Sequence, residues 1–408
     1  MKRTTRRARR LAAAAAGLTA ACTLAFPAAT AHAAAGSYTP NSHEWWFNSW
    51  DLQQKVWPTT QGSGVTVAVI DSGVQASNPD LQGVLEPGAD MLGYGGNGGQ
   101  DYESNGGHGT AMAALIAGQG IGLGPVGVAP QAKILPVHAI DPSSGMTPVA
   151  NGIKYAVDHG ASVINLSVGA NSPTATSCDP QVQDAVAYAL AHNVVVVASS
   201  GDINRGGPAP QEPATCAGVL AVGGVEQNGS PWQYSTQGPN VVVAAPGDHI
   251  YIVSSDGRSY SITASGTSSS SALVSGAAAL VRAANPSMPW YTVDQRLIGT
   301  AIPDGPVPND ATGYGIINVN KAVNASQYPV SSSAPNPVYA RYQSWLQTPA
   351  GQQFAQANGI STSNPSQATL TPAKSSSSTT LIIILAVVIL ILLIAAGVII
   401  GLVTRKRK

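Results

Sequence analysis

The chain has 408 residues, with 44 Gly, 29 Pro and only 3 Phe, which suits one large core with many tight turns and leaves material over at both ends. Its 20 Lys and Arg equal its 20 Asp and Glu, but the cations cluster at the two termini. The middle is therefore mildly acidic and offers no basic stripe, which argues against nucleic acid as a partner.

Residues 1–33 read as an export signal: Lys2, Arg3, Arg6, Arg7, Arg9 and Arg10 precede an Ala-rich apolar run and an Ala31-His32-Ala33 cleavage site. A lipoprotein box around Cys22 and a twin-arginine route are weaker alternatives. A lead-in over 34–63 crowds Trp45, Trp46, Trp50 and Trp57 before the first strand, either to pack on the domain or to form a binding platform.

Gly64 to Ile70 then reads as a fully buried parallel strand ending at Asp71-Ser72-Gly73. A carboxylate there lies where open α/β sheets place their active crevices, although Asp-Ser-Gly is equally good turn chemistry. A Gly-rich loop leads to Gly107-His108-Gly109-Thr110, which opens an Ala-rich helix. Histidine between two glycines suits close backbone approach better than core packing, whereas His43, His138, His159, His192 and His249 lack such a setting and read as surface or locally bonded.

The pattern next alternates: strand 132–139, helix 146–159, strand 161–169, helix 182–192, then strands 194–198, 219–223 and 241–245. Apolar strands separated by helices predict an α/β fold, a mostly parallel central sheet covered on both faces. Ala264-Ser265-Gly266-Thr267-Ser268 follows, placing Ser268 at the N-terminus of a small-residue helix. Orphan N–H groups there suit an anion forming beside a nucleophile, but the same hydroxyls could simply cap the helix.

Residues 326–380, rich in Ser, Thr, Pro, Gln and Asn, read as a tether with a short helix over 339–354. Residues 381–403 are long and apolar enough to cross a bilayer, and the basic tail 404–408 should stay cytoplasmic. The expected topology puts the bulk of the chain on the extracytoplasmic side of a membrane.

Asp71, His108 and Ser268, in that order and in those local settings, resemble the three catalytic signatures of the subtilisin-like serine proteases. The resemblance covers residues 45–325. Signal, Trp-containing lead-in, tether and anchor resemble the mycosins, membrane-anchored proteases of actinobacterial type VII secretion. The implied roles are Ser268 as nucleophile, His108 as base and Asp71 as its orienting partner. Asn165, Ser167, Val168 and Gly169 would pair with an extended polypeptide substrate, with Gly201 as the far wall of the first specificity pocket and Ile203 near its base.

Three departures follow. The family's oxyanion-stabilising Asn is replaced by Asp202, which joins Ser268 in the expected oxyanion hole. Asp202 is either kept protonated as a donor, displaced in favour of Asn204 or backbone N–H groups, or a sign of a crippled site in a scaffolding subunit. Ala272 stands where the serine helix usually carries Pro, and the roughly 30 residues between the expected cleavage site and the first strand are too few for the usual inhibitory pro-domain. Cys178 and Cys216, the only cysteines of the exported core, are expected to pair in an oxidising compartment. No metal site or cofactor is expected; a structural calcium, common in the family, stays open although no loop carries a clear run of ligands.

Overall fold

The computed structural model describes residues 37–360 apart from 104, 105, 142, 173, 175, 176 and 209. The export signal and the apolar stretch 381–403 lie outside these residues; among the described residues no helix is long and apolar enough to cross a membrane.

Strands that are apolar on both sides need cover on both faces, and this sequence supplies it by alternating them with helices. In chain order the strands are Thr66–Asp71 (β1), Ala89–Asp90 (β2), Lys133–His138 (β3), Val163–Leu166 (β4), Ala170–Asn171 (β5) and Val195–Ser199 (β6). Gln211–Glu212 (β7), Leu220–Val225 (β8), Val243–Pro246 (β9), Ile250–Val253 (β10) and Tyr260–Ala264 (β11) complete them. Seven form one parallel sheet in the order β2-β3-β1-β4-β6-β8-β9. β1 lies between β3 and β4, with Val67 opposite both Ile134 and Val163. Two small antiparallel sheets, β5 with β7 and β10 with β11, flank it.

The helices are Trp46–Ser49 (α1), His108–Ala117 (α2), Thr147–Asp158 (α3), Pro180–Ala191 (α4), Ile203–Gly206 (α5) and Thr267–Ala284 (α6). Trp290–Gly299 (α7), Val319–Val323 (α8), Pro337–Leu346 (α9) and Pro349–Ala357 (α10) follow. α6 is buried from Ser269 to Arg282 because its Ser, Ala and Gly side chains let it lie close to the sheet and α2. It ends at Ala284, where Asn285 precedes Pro286 and the proline ring disfavours the helical conformation.

The lead-in tryptophans pack onto the body. Trp46, Trp50 and Trp57 are buried, and Trp57 Nε1 donates to the Val128 carbonyl at 3.1 Å. Trp45 is half-buried, with Nε1 donating to the His249 carbonyl.

The tether expected over 326–380 is folded over 337–360, and its remainder from 361 lies outside the described residues. Val338, Tyr342 and Leu346, four apart, form one buried face of α9, and Tyr342 meets the Trp290 ring edge-on at 5.7 Å. The polar residues that suggest a tether serve as helix starts: Asn336 and Thr348 cap α9 and α10, each followed by Pro. The expected helix 339–354 is two helices interrupted at Gln347 and Thr348. His138 also departs from expectation, being fully buried with Nδ1 on Asp90 Oδ1 at 2.8 Å, at the end of β3. Cys178 and Cys216 form a disulfide, joining the turn before α4 to the segment before β8.

Candidate active site

The carboxyl ends of β1, β4 and β6 open onto a cleft of about 700 Å³. Asp71, the last residue of β1, is 1 % exposed. His108, the first residue of α2, directs Nδ1 at both its carboxylate oxygens, at 2.8 and 3.0 Å. Glycine at 109 permits this approach: a Cβ there would stand 2.1 Å from the Gly73 carbonyl oxygen and 3.0 Å from Asp71 Cβ. Asp71 Oδ1 also accepts the Ser72 N–H at 2.7 Å, and Ser72 Oγ donates to Asp101 while accepting the Gly109 N–H. Asp101 in turn accepts the Thr110 N–H at 2.8 Å. These bonds fasten the start of α2 to the end of β1.

Burial opposes a charge on His108, but the carboxylates of Asp71, Glu103 and Asp101 outweigh it and push the imidazole up to about 9. Asp71 is the partner in contact, whereas Glu103 is exposed and accepts the His108 backbone N–H at 2.7 Å.

Ser268 is the second residue of α6, so its N–H belongs to the unpaired first turn. Its Oγ donates to the Ser167 carbonyl at 3.2 Å, while Ser167 Oγ donates back to the Ser268 carbonyl at 2.8 Å. This reciprocal pair latches the serine helix to the segment after β4. Ser268, His108 and Asp71 all line the one cleft.

The substrate-binding residues read from sequence divide in two. Ser167, Val168, Gly169 and Gly201 line the cleft. Asn165 does not, because β4 is the central strand of the sheet rather than an edge and its Asn points into the core. There its Oδ1 accepts from Ser271 and Ser275 Oγ at 3.1 and 3.0 Å, and its Nδ2 donates to Ser167 Oγ at 3.0 Å. Ile203 is likewise not part of the cleft wall; Arg205, two residues on, is. The wall is completed by Gln211, whose side chain closes on Gly201: a Cβ there would meet its Cδ at 2.7 Å.

Asp202 Oδ1 accepts from the Thr267 N–H at 2.9 Å and from Thr267 Oγ1 at 2.8 Å, and its Oδ2 lies 3.7 Å from Arg205 Nη1. Asn204 is exposed and outside the cleft wall, so it does not take up the missing donor's place. Sequence reading missed Asp101, Glu103, Arg205 and Gln211. A signal existed for Arg205, the one cation between Lys154 and Arg258. Among the described residues, no group of three or more His, Cys, Asp or Glu could hold a metal ion.

A carboxylate, an imidazole and a serine hydroxyl at one cleft can run nucleophilic acyl transfer. The profile of the subtilase family matches residues 62–318. Thermitase of Thermoactinomyces vulgaris is 37 % identical over 253 residues, 60 % of this chain and 85 % of thermitase. Among solved structures, the MycP3 protease of the type VII (ESX-3) secretion system is 30 % identical with a TM-score of 0.60, over 71 % of this chain and 89 % of that one. MycP1 of Mycobacterium smegmatis is 30 % identical with a TM-score of 0.58, over 71 % and 87 %. The chain belongs to the subtilase family and is a serine endopeptidase.

Proposed function

We propose that this endopeptidase is anchored at the extracytoplasmic face of a membrane and cuts exported polypeptides beside a type VII secretion complex. The location rests on the signal-like residues 1–33 and the apolar stretch 381–403 with its basic tail. The secretion context rests on the likeness to MycP3 and MycP1.

The single observation that carries the chemistry is the Asp71–His108 contact at 2.8 Å, set in the same cleft as Ser268. Substrate displaces the Ser268 Oγ bond to Ser167. The hydroxyl then gives its proton to His108 Nε2 as Oγ attacks the scissile carbonyl carbon, and Asp71 fixes the tautomer and balances the imidazolium. Collapse breaks the C–N bond, and His108 returns the proton to the leaving amine. Water, activated by His108, releases the acyl group. The steps need only side chains and water, with an extended polypeptide lying along Ser167, Val168 and Gly169.

Labelling the purified full-length protein with a serine-reactive fluorophosphonate, read by intact mass, tests this. One adduct that disappears in Ser268→Ala is expected; a folded protein that takes none refutes the assembled nucleophile. A second reading, a catalytically weak subunit that stabilises a secretion complex, is favoured by the two donors that Asp202 Oδ1 accepts where an oxyanion donor is needed. Cellular complementation separates the two: Ser268→Ala abolishes the role of a protease and spares that of a scaffold.

A further inference from the structure

The carboxyl group of Asp202 is almost fully buried across the entrance to α6. Its Oδ1 is committed as acceptor to both donors of Thr267, the residue before the nucleophile. Its Oδ2 approaches to 3.2 Å the place where a Cβ of Gly266 would stand, and beyond it, at 3.7 Å, lies Arg205 Nη1. Arg205 is the one Lys or Arg among the described residues lining the cleft, where Asp71, Glu103, Asp141 and Asp202 supply four carboxyl groups. Negative charge developing on a substrate oxygen beside Ser268 gains from the His108 imidazolium formed in the same step, and Arg205 is the one further cation of the cleft to set against these carboxyl groups.

We propose that Arg205 is a catalytic residue of this enzyme, donating to the oxyanion in place of the amide that position 202 lacks, with Asp202 holding the guanidinium at the cleft. A guanidinium carries five N–H donors in a planar fork and stays charged, so one edge can remain on Asp202 while another turns to a second oxygen. When Ser268 Oγ bonds to the carbonyl carbon, the π pair of C=O moves onto oxygen and the hydroxyl proton passes to His108. The oxygen then accepts from the Ser268 N–H and from Arg205. As the C=O re-forms, the C–N bond breaks and the amine leaves with the proton from His108. The side chain of Arg205 is 66 % exposed, which leaves it free to swing toward a bound substrate and makes its truncation harmless to the core. The proposal rests on Ser268 as the nucleophile.

The test measures kcat and KM of the full-length enzyme on extended chromogenic peptides that differ only in carrying a neutral, acidic or basic residue before the scissile bond. Arg205→Ala is expected to lower kcat about 10²- to 10³-fold on every peptide while KM stays within about twofold, and Arg205→Lys to retain part of the rate. Asp202→Asn introduced into Arg205→Ala restores an amide donor and is expected to recover at least about tenfold in kcat. An unchanged kcat in Arg205→Ala, a loss confined to KM for acidic peptides, or a double variant no faster than Arg205→Ala overturns the proposal; the KM outcome would make Arg205 a specificity residue. Hydrolysis that survives Ser268→Ala overturns the nucleophile assignment instead, and the proposal with it. An unchanged melting temperature in each variant shows that the rate changes are not losses of fold.

Discussion

Replacing Glu103 by Gln isolates one part of the field that sets the catalytic base. His108 stands at about 9 because, against the effect of burial, Asp71, Glu103 and Asp101 favour its charged form. A base must be deprotonated to act, so kcat/KM should climb with pH toward a midpoint near 9. Glu103 accepts the His108 backbone N–H at 2.7 Å, and Gln keeps an acceptor for that bond while removing the charge. Two charges 4 Å apart in water interact by about 1 kcal/mol and one pKa unit is about 1.4 kcal/mol, so loss of this exposed carboxylate should lower the midpoint by up to about 0.7 of a unit. The assay is kcat/KM between about pH 6 and 11, at about 0.01 M and 1 M ionic strength, because the difference should shrink as salt screens the pair. A wild-type midpoint near ordinary imidazole, or one that Glu103→Gln leaves in place at low salt, refutes this account of the base.

Two further predictions concern stability. Glu44, in the lead-in, is pushed up to about 8, chiefly by burial, with backbone bonds from Asn41 and Val126 opposing and the Asp80 charge adding. A carboxyl whose folded pKa exceeds its unfolded one contributes stability that is complete below the unfolded value and is lost as pH rises toward the folded one. The window for Glu44 therefore runs from about 4.5 to about 8. Glu44→Gln should raise the melting temperature at about pH 9, by at most about 5 kcal/mol of stability, and change little at about pH 5; an equal gap at both refutes it. Asn165→Ala strips partners from the hydroxyls of Ser167, Ser271 and Ser275 and should destabilise by about 2–4 kcal/mol in denaturant unfolding, with a loss below about 0.5 kcal/mol counting against the buried network.

The sequence by itself determined the alternation of apolar strands and helices, and with it the parallel sheet, because a strand without a polar side has no stable place except between covering layers. It also determined the three residues at the cleft, since Asp71, His108 and Ser268 each sit in a local setting, a strand end or a glycine-flanked helix start, that a short stretch of chain specifies. The pairing of Cys178 with Cys216 was legible for a similar reason, as no other cysteine competes in the core. Only the tertiary structure decided that Asn165 faces inward, because a strand's place within a sheet depends on partners far along the chain, here β1 and β6. It decided too that α9 packs against Trp290 and α10 against α9, since capping residues and loop residues share one composition. Asp202 was read as an odd acid, whereas Arg205, the one cation between Lys154 and Arg258, was missed. Their ion pair spans only three residues, but its place at the entrance to the nucleophile's helix depends on Asp202 meeting Thr267 at the start of α6, a contact between segments more than sixty residues apart that no local pattern encodes.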